Sequence, residues 1–203
     1  CGGSTQMRDD VFARGAKVPM TKEEVRLLAL ERLDLAGAGL LLDVGAGTGS
    51  VAIEAALRHP ELKVVALEKN PEALSLIREN ADRLGCSDRL QILAGAAPCA
   101  LDSRPDAVFI GGSGGRLTAI IDWALALLAP GGRLVMSFIL LDNLTSALAH
   151  LQGLGVAELS CSQLQVSQLQ TLGSGFFFKP NNPVFLLSCI APATKEVAHV
   201  LPV

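Results

Sequence analysis

Short apolar runs alternate with helical patterns from Leu40 onward, and this rhythm is the feature that most restricts the fold. The runs are Leu40–Asp43, Val64–Glu68, Leu90–Leu93, Ala107–Ile110 and Leu134–Ile139. Strands that alternate with helices form β-α-β units, whose right-handed crossovers build a parallel sheet with helices on both faces. The sequence therefore predicts an α/β fold.

The helices between these runs have recognisable starts. Thr21 and Glu24 form a capping box that predicts a helix beginning at Thr21, and Asn70-Pro71-Glu72 predicts another. Asp142-Asn143 either points into the site or caps a helix over Leu144–Leu151, and capping is the preferred interpretation. The remaining helices are predicted over Val51–Arg58 and Leu117–Leu128.

The last fifty or so residues leave this rhythm, because two strand-like runs follow each other without a helix. These runs are Ala157–Gln170 and Pro183–Ile190, and they predict an antiparallel hairpin at one edge of the sheet. The connecting loop contains Phe176, Phe177 and Phe178, which are interpreted either as a lid or as a subunit contact.

Composition narrows the function classes. The chain has 203 residues, 50% of them hydrophobic, and a formal net charge of -3, which gives no basic field for a polyanion. No apolar run approaches the roughly 20 residues of a membrane span. Five cysteines without a C-x-x-C pair and only three histidines predict reduced thiols and no metal site in a cytoplasmic protein.

A glycine turn follows the first predicted strand, at the end of the sheet where α/β proteins bind ligands. Its spacing is Gly45-x-Gly47-x-Gly49, and Ser50 stands where a dinucleotide fingerprint has its third glycine. A nicotinamide-dependent oxidoreductase is therefore a disfavoured alternative. Glu68 closes the second strand and can accept both hydroxyls of a ribose.

A second glycine-rich loop precedes the helix at Leu117. Free backbone N–H groups at a helix start, with a guanidinium beside them, form an anion receptor. The loop is predicted to bind the carboxylates or phosphates of a substrate, and a merely flexible connection is the alternative. Its residues are Gly111, Gly112, Ser113, Gly114, Gly115 and Arg116.

The glycine turn and the acid that closes the next strand resemble the S-adenosylmethionine site of class I methyltransferases. The resemblance implies a Rossmann-like, mostly parallel seven-stranded sheet and a set of cofactor contacts. In it Asp43 lies near the methionine amino group, while Ala96 and Ala97 offer the adenine no side-chain acceptor. The implied contacts are Asp43, Gly45, Gly47, Thr48, Gly49, Ser50, Glu68, Lys69, Gly95, Ala96 and Ala97.

Four segments in order make the resemblance narrower: Gly15–Arg26, Asp43–Ser50, Phe109–Gly115 and Pro180–Phe185. Together they resemble the CbiT-type decarboxylating precorrin methyltransferases of cobalamin biosynthesis, over about Met7 to Ile190. The family implies methylation of carbon 15 of a precorrin-6B or precorrin-6Y type tetrapyrrole, or its cobalt form, with loss of carbon dioxide from the ring C acetate. It also implies a homotetramer and, in many organisms, a fused carbon 5 methyltransferase.

The resemblance further implies that Pro19, Met20 and Thr21 close over the cofactor, within an N-terminal segment, 1–20, that precedes a methyltransferase domain over 21–203. Thr21, Gly112 and Ser113 are the candidates for positioning the reactants. We expect Gly112→Asp to weaken tetrapyrrole binding while cofactor affinity stays within a few-fold. A transfer RNA adenosine methyltransferase of the same fold, and a module that binds the cofactor without catalysis, are the alternatives.

Overall fold

The structure is a computed structural model, and it describes residues 7–192 of the chain. The first six residues of the predicted N-terminal segment, with Cys1, and the tail that holds His199 lie outside the described residues. None of the helices between residues 7 and 192 combines the length and apolar character that crossing a bilayer requires.

A seven-stranded sheet forms the centre of the described chain, in the order β3-β2-β1-β4-β5-β9-β6. The five strands β1 to β5 are parallel to one another, whereas β9 and β6 are antiparallel additions at one edge. The predicted fold class is confirmed. The strands are β1 Leu40–Val44, β2 Lys63–Glu68, β3 Leu90–Ala94, β4 Ala107–Ile110, β5 Arg133–Phe138, β6 Ala157–Leu164, β7 Ser167–Leu172, β8 Gly175–Pro180 and β9 Val184–Ile190.

Helices cover both faces of this sheet because successive residues of each buried strand point to opposite sides. Leu41 belongs to the core beneath the first three helices, while Leu42 belongs to the core beneath the last two. The predicted start of the third helix is confirmed, since the Asn70 side chain accepts from the Glu72 N–H at 2.9 Å. The helices are α1 Glu23–Leu33, α2 Ser50–Arg58, α3 Pro71–Leu84, α4 Leu117–Leu127 and α5 Leu141–Gln152.

Two predicted helix starts are wrong. Helix α1 begins at Glu23 with Lys22 at its N-cap, so Thr21 does not form the predicted capping box. The Thr21 carbonyl instead accepts from the Arg26 guanidinium at 2.7 Å, which holds this residue outside the helix. Helix α5 begins at Leu141 with Leu140 as its N-cap, so Asp142 and Asn143 lie inside the first turn and cap nothing.

The C-terminal hairpin is confirmed as an antiparallel β6–β9 pair, but the residues between these strands are not a loop. The chain leaves the main sheet after Leu164, and β7 pairs with β8 as a separate two-stranded hairpin. The Asn181 N–H donates to the Val166 carbonyl at 2.8 Å and closes its base. Every residue of β7 and β8 is exposed, which explains why the burial pattern of a core strand is missing there.

Two buried side chains hold the described part of the N-terminal segment. Asn80 of α3 makes two hydrogen bonds to the backbone of Ala13. The other is Arg26 of α1. Its guanidinium donates to Glu54 of α2, to the Met7 carbonyl, and to Asp9 at 3.1 Å. It also lies over the Phe12 ring, 5.0 Å from the centroid. The segment from Met7 is therefore tied to α1 and α2, at the carboxyl end of β1.

Candidate functional site

Three turns meet where the central parallel strands end. In each turn a glycine N–H donates to a carbonyl of an adjacent strand at 2.9 Å: Gly45 to Leu67, Gly95 to Glu68, and Gly111 to Val44. These bonds continue the sheet ladder beyond the strand ends. They bring the glycine turn, the Gly95–Ala97 turn and the Gly111–Arg116 loop around one opening.

Gly45 and Gly47 are required by close backbone approach. A Cβ on Gly45 would lie 2.9 Å from the Gly112 nitrogen, and one on Gly47 would lie 2.4 Å from the Pro19 carbonyl oxygen. Both residues also have positive φ, 71° and 58°. The turn can therefore contact the second glycine loop on one side and the Pro19–Thr21 segment on the other only without side chains.

A cavity of about 270 Å³ opens beside the turn, between β1, β2 and β4. Glu68 and Lys69 form one wall, and the Gly95–Ala97 turn forms another. Most of the predicted cofactor contacts meet here. The predicted residues that line it are Pro19, Gly45, Gly47, Glu68, Lys69, Gly95, Ala96 and Ala97, together with Gly111, Gly112, Ser113, Gly114 and Arg116 of the second loop.

The Glu68 carboxylate is already largely engaged by the backbone. Oε1 accepts from Lys69 N–H at 2.8 Å and Asn70 N–H at 2.9 Å, and Oε2 accepts from Gly47 N–H at 2.9 Å. A carboxylate has about four acceptor sites, so one remains, on Oε2. Acceptance from both hydroxyls of a ribose, as the sequence predicts, requires Glu68 to release a backbone amide.

A larger cavity of about 520 Å³ lies beyond the ends of β4 and β5. Its walls are mainly apolar and also contain neutral polar groups. Lys22 is the single charged side chain that lines it among the described residues. Besides Lys22 it is lined by Pro19, Met20, Thr21, Val25, Gly45, Ala46, Ile110, Gly111, Gly112, Ser113, Ser137, Phe138, Ile139, Leu140, Asn143, Asn181, Asn182 and Val184.

The two cavities share a wall, formed by Pro19, Gly45 and the Gly111–Ser113 part of the second loop. Only part of the second loop lies in this shared wall. Gly114 and Arg116 line the smaller cavity only, and the Arg116 guanidinium donates to the Ala97 carbonyl at 2.6 Å. Gly111, Gly112 and Ser113 line both cavities, and Gly115 lines neither, so the predicted binding of an acceptor by the whole loop stays a prediction.

Four predicted cofactor contacts lie behind the turn and line neither cavity: Asp43, Thr48, Gly49 and Ser50. The last three do so because α2 begins at Ser50, so the chain turns inward after Gly47. Asp43 lies on β1, where its side chain faces α2 and accepts from the Ala52 N–H. Thr48 and Asp43 are buried, each with a side-chain oxygen that has no partner among the described residues.

Asp43 is the most strongly perturbed carboxyl of the site. It is 1% exposed, and its Oδ2 accepts from the Ala52 N–H of α2 at 3.2 Å. Burial raises its pKa from 3.8 to about 7; the Ala52 hydrogen bond opposes this shift, and the Glu68 charge adds to it. The unpartnered Oδ1 fits a nearby cationic group, which would favour the ionised form. Within residues 7–192 no group of three or more His, Cys, Asp or Glu side chains is placed to hold a metal ion.

Near the carboxyl end of β5 the larger cavity contains two residues that the sequence reasoning missed, Ser137 and Asn182, and one that it offered as an alternative, Asn143. Ser137, Asn143 and Asn182 lie there because β9 runs antiparallel to β5, which brings the residues before β9 to the end of β5. The signal that could have found them is the position of Ser137–Leu140 at the carboxyl end of a parallel strand.

Comparison with known proteins agrees with this geometry. Residues 10–191 match the family described as precorrin methyltransferase domain. The chain is 57% identical over 194 residues, 96% of its length and 98% of the relative's, to the cobalt-precorrin-6B C(15)-methyltransferase (decarboxylating) of Salmonella typhimurium.

Two solved structures share the fold at lower identity. The precorrin-6y C5,15-methyltransferase of Geobacter metallireducens is 35% identical, with a TM-score of 0.84, covering 91% of this chain and 96% of that one. The precorrin 8W decarboxylase of Methanobacterium thermoautotrophicum is 32% identical, with a TM-score of 0.82, covering 90% and 98%.

Proposed function

This chain belongs to the precorrin methyltransferase family, and from that membership we propose that it transfers a methyl group from S-adenosylmethionine to carbon 15 of cobalt-precorrin-6B or its metal-free form and removes the ring C acetate carboxylate. The similarity to the Salmonella typhimurium enzyme, which extends over nearly the full length of both chains, is the observation that carries the substrate assignment. It makes the chain a decarboxylating methyltransferase of cobalamin biosynthesis.

The smaller cavity fits the nucleoside part of S-adenosylmethionine. The remaining acceptor site of Glu68 suits a ribose hydroxyl, and the glycine turn leaves space that any Cβ would fill. The buried, unpartnered Oδ1 of Asp43 lies behind the turn, and a cationic group bound beside it would favour the ionised carboxylate. When bound, the cofactor supplies a methyl group on a positively charged sulfur.

The larger cavity fits the tetrapyrrole. Its apolar walls, Ile110, Phe138 and Leu140 among them, suit the faces of a macrocycle, and its amide side chains can donate to peripheral groups. Since the two cavities share the wall at Gly45, Gly111 and Gly112, the donor and acceptor meet there. The contribution of these residues to catalysis is alignment.

No carboxylate or histidine side chain among the described residues lines the larger cavity, so a protein base is not positioned there. The electron-rich macrocycle is itself the carbon nucleophile. In the decarboxylation, the bond between the acetate methylene and its carboxylate breaks, and carbon dioxide leaves. The electron pair of that bond passes into the macrocycle. A proton from water then binds to the methylene carbon, which becomes a methyl group. A neutral wall favours this step because it does not stabilise the departing carboxylate.

We also propose that the enzyme is a cytoplasmic homotetramer. Large apolar side chains on the β7–β8 hairpin support subunit contact, since Leu172, Phe176 and Phe178 are each more than half exposed. They extend from the base of the larger cavity at Asn181.

The test is incubation of the purified protein with cobalt-precorrin-6B and S-adenosylmethionine, followed by mass spectrometry. The expected product has gained one methyl group and lost carbon dioxide. A matched reaction with adenosine-containing transfer RNA addresses the alternative acceptor, and methylation of that RNA without change to the tetrapyrrole would overturn the proposal.

A further inference from the structure

The larger cavity presents one cation to a substrate that carries many carboxylates. Among the described residues, Lys22 is the only charged side chain that lines it. Arg116, which the sequence suggested for this purpose, lines the other cavity and donates to the Ala97 carbonyl. A polycarboxylate acceptor therefore meets its first fixed positive charge in this cavity at Lys22.

We propose that Lys22 binds a carboxylate that the tetrapyrrole retains, and thereby fixes the orientation of the macrocycle in the larger cavity. This inference rests on the proposed function, because it assumes a polycarboxylate tetrapyrrole as the acceptor. It assigns Lys22 as a residue that binds and positions the substrate, without a part in bond making or breaking.

Lys22 can exchange its present partner for a substrate carboxylate. Its Nζ lies 3.6 Å from Asp9 Oδ2, and the two side chains are 42% and 20% exposed. An ion pair of this length with a partly exposed lysine contributes little to stability. Asp9 also holds the buried Arg26 guanidinium at 3.1 Å, so it keeps a cationic partner when Lys22 turns toward a substrate carboxylate.

The other polar groups of the cavity explain why the carboxylate at Lys22 is one that the substrate retains. A carboxylate paired with an ammonium group is stabilised in its ionised form, which opposes loss of carbon dioxide. The wall at the ends of β5 and β9 offers Ser137, Asn143 and Asn182, which are neutral. Anchoring a retained carboxylate at Lys22 directs the ring C acetate toward this neutral wall.

The experiment compares steady-state turnover of cobalt-precorrin-6B by the wild-type protein and by Lys22→Gln. We expect KM for the tetrapyrrole to rise about fivefold or more, as for the loss of a charge-assisted hydrogen bond, while KM for S-adenosylmethionine changes less than twofold. Lys22→Arg should restore most of the tetrapyrrole affinity. Higher ionic strength should narrow the difference between wild type and Lys22→Gln.

Lys63→Gln is the matched control, since it removes the same charge from an exposed lysine at the start of β2, the opposite end of the sheet. Its KM for the tetrapyrrole should equal that of the wild type. An unchanged KM in Lys22→Gln, or an equal rise in Lys63→Gln, overturns this inference and leaves the proposed function intact. A wild-type protein that does not convert the tetrapyrrole overturns both.

Discussion

At the scale of single residues, the shape of the site depends on residues that allow or make contacts with main-chain atoms. Gly45 and Gly47 allow the turn to touch the second loop and the Pro19 carbonyl, and Asp43 holds the start of α2 from beneath. The glycine spacing made the turn predictable from the sequence. The burial of Asp43 was not predictable, because it depends on how α2 packs over β1.

The raised pKa of Asp43 predicts a pH-dependent stability. The folded state keeps a proton that the unfolded state releases between pH 3.8 and about 7, so the free energy of unfolding should fall as pH rises through this window. Asp43→Asn should remove this contribution, so its stability relative to wild type should increase from pH 5 to pH 8. Urea unfolding at several pH values measures the difference.

Asp142→Asn is the control for that experiment, because Asp142 is an exposed carboxyl on α5. For this control, the difference in stability from the wild type should stay constant between pH 5 and pH 8. The same constant difference for Asp43→Asn would contradict the raised pKa of Asp43.

Gly112 lines both cavities, which changes the result expected from its substitution. A carboxylate at this position stands in the shared wall, so Gly112→Asp should weaken both cofactor and tetrapyrrole binding about tenfold or more, against the expectation from sequence alone. Gly112→Ala is the control, since a Cβ there has its nearest neighbour at 4.0 Å and should change both affinities only slightly. Calorimetry with S-adenosylmethionine and turnover of the tetrapyrrole measure the two effects. Loss of tetrapyrrole binding alone would show that the loop faces only the acceptor.

At the scale of elements, the parallel core was predictable because its strands are continuous apolar runs separated by helices. The β7–β8 hairpin was not, because its residues contact water in the described chain and show no periodic burial. The start of α1 was misassigned for a different reason. The Thr21 carbonyl accepts a hydrogen bond from the buried Arg26 side chain, and no local sequence pattern reveals this contact.

Arg26 joins three elements, so its loss should affect more than one helix. Arg26→Met leaves buried Glu54 with only Arg58, at 2.5 Å, and Asp9 with only Lys22, at 3.6 Å. It also removes the guanidinium that donates to the Met7 carbonyl. We expect a loss of about 3–5 kcal/mol in the free energy of unfolding and faster trypsin cleavage at Arg14 and Lys17.

Arg32→Met provides the comparison for Arg26, because Arg32 lies on the same helix but donates to Leu186 and Ser162 at the sheet edge. It should leave cleavage at Arg14 and Lys17 unchanged. If both variants are cleaved equally fast, Arg26 does not hold the N-terminal segment.

At the scale of the whole molecule, the exposed apolar hairpin is a candidate subunit contact. Phe176 and Phe178 are 71% and 67% exposed. Replacing both by serine should shift the protein from the proposed tetramer to smaller species, as measured by light scattering after size-exclusion chromatography. Leu154→Ser, on a less exposed apolar residue after α5, should keep the wild-type mass. An unchanged mass in the double variant would rule out the hairpin as the contact.

The wall between the two cavities consists chiefly of main-chain atoms, because three of its five residues are glycines. Substitutions among the side chains that line the larger cavity, such as Leu140, Asn143 and Asn182, therefore leave the thickness of that wall unchanged. During evolution, a lineage can alter which acceptor it recognises while the spacing between donor and acceptor is inherited intact. The fold thus separates substrate choice from methyl delivery, and divergence in one need not disturb the other.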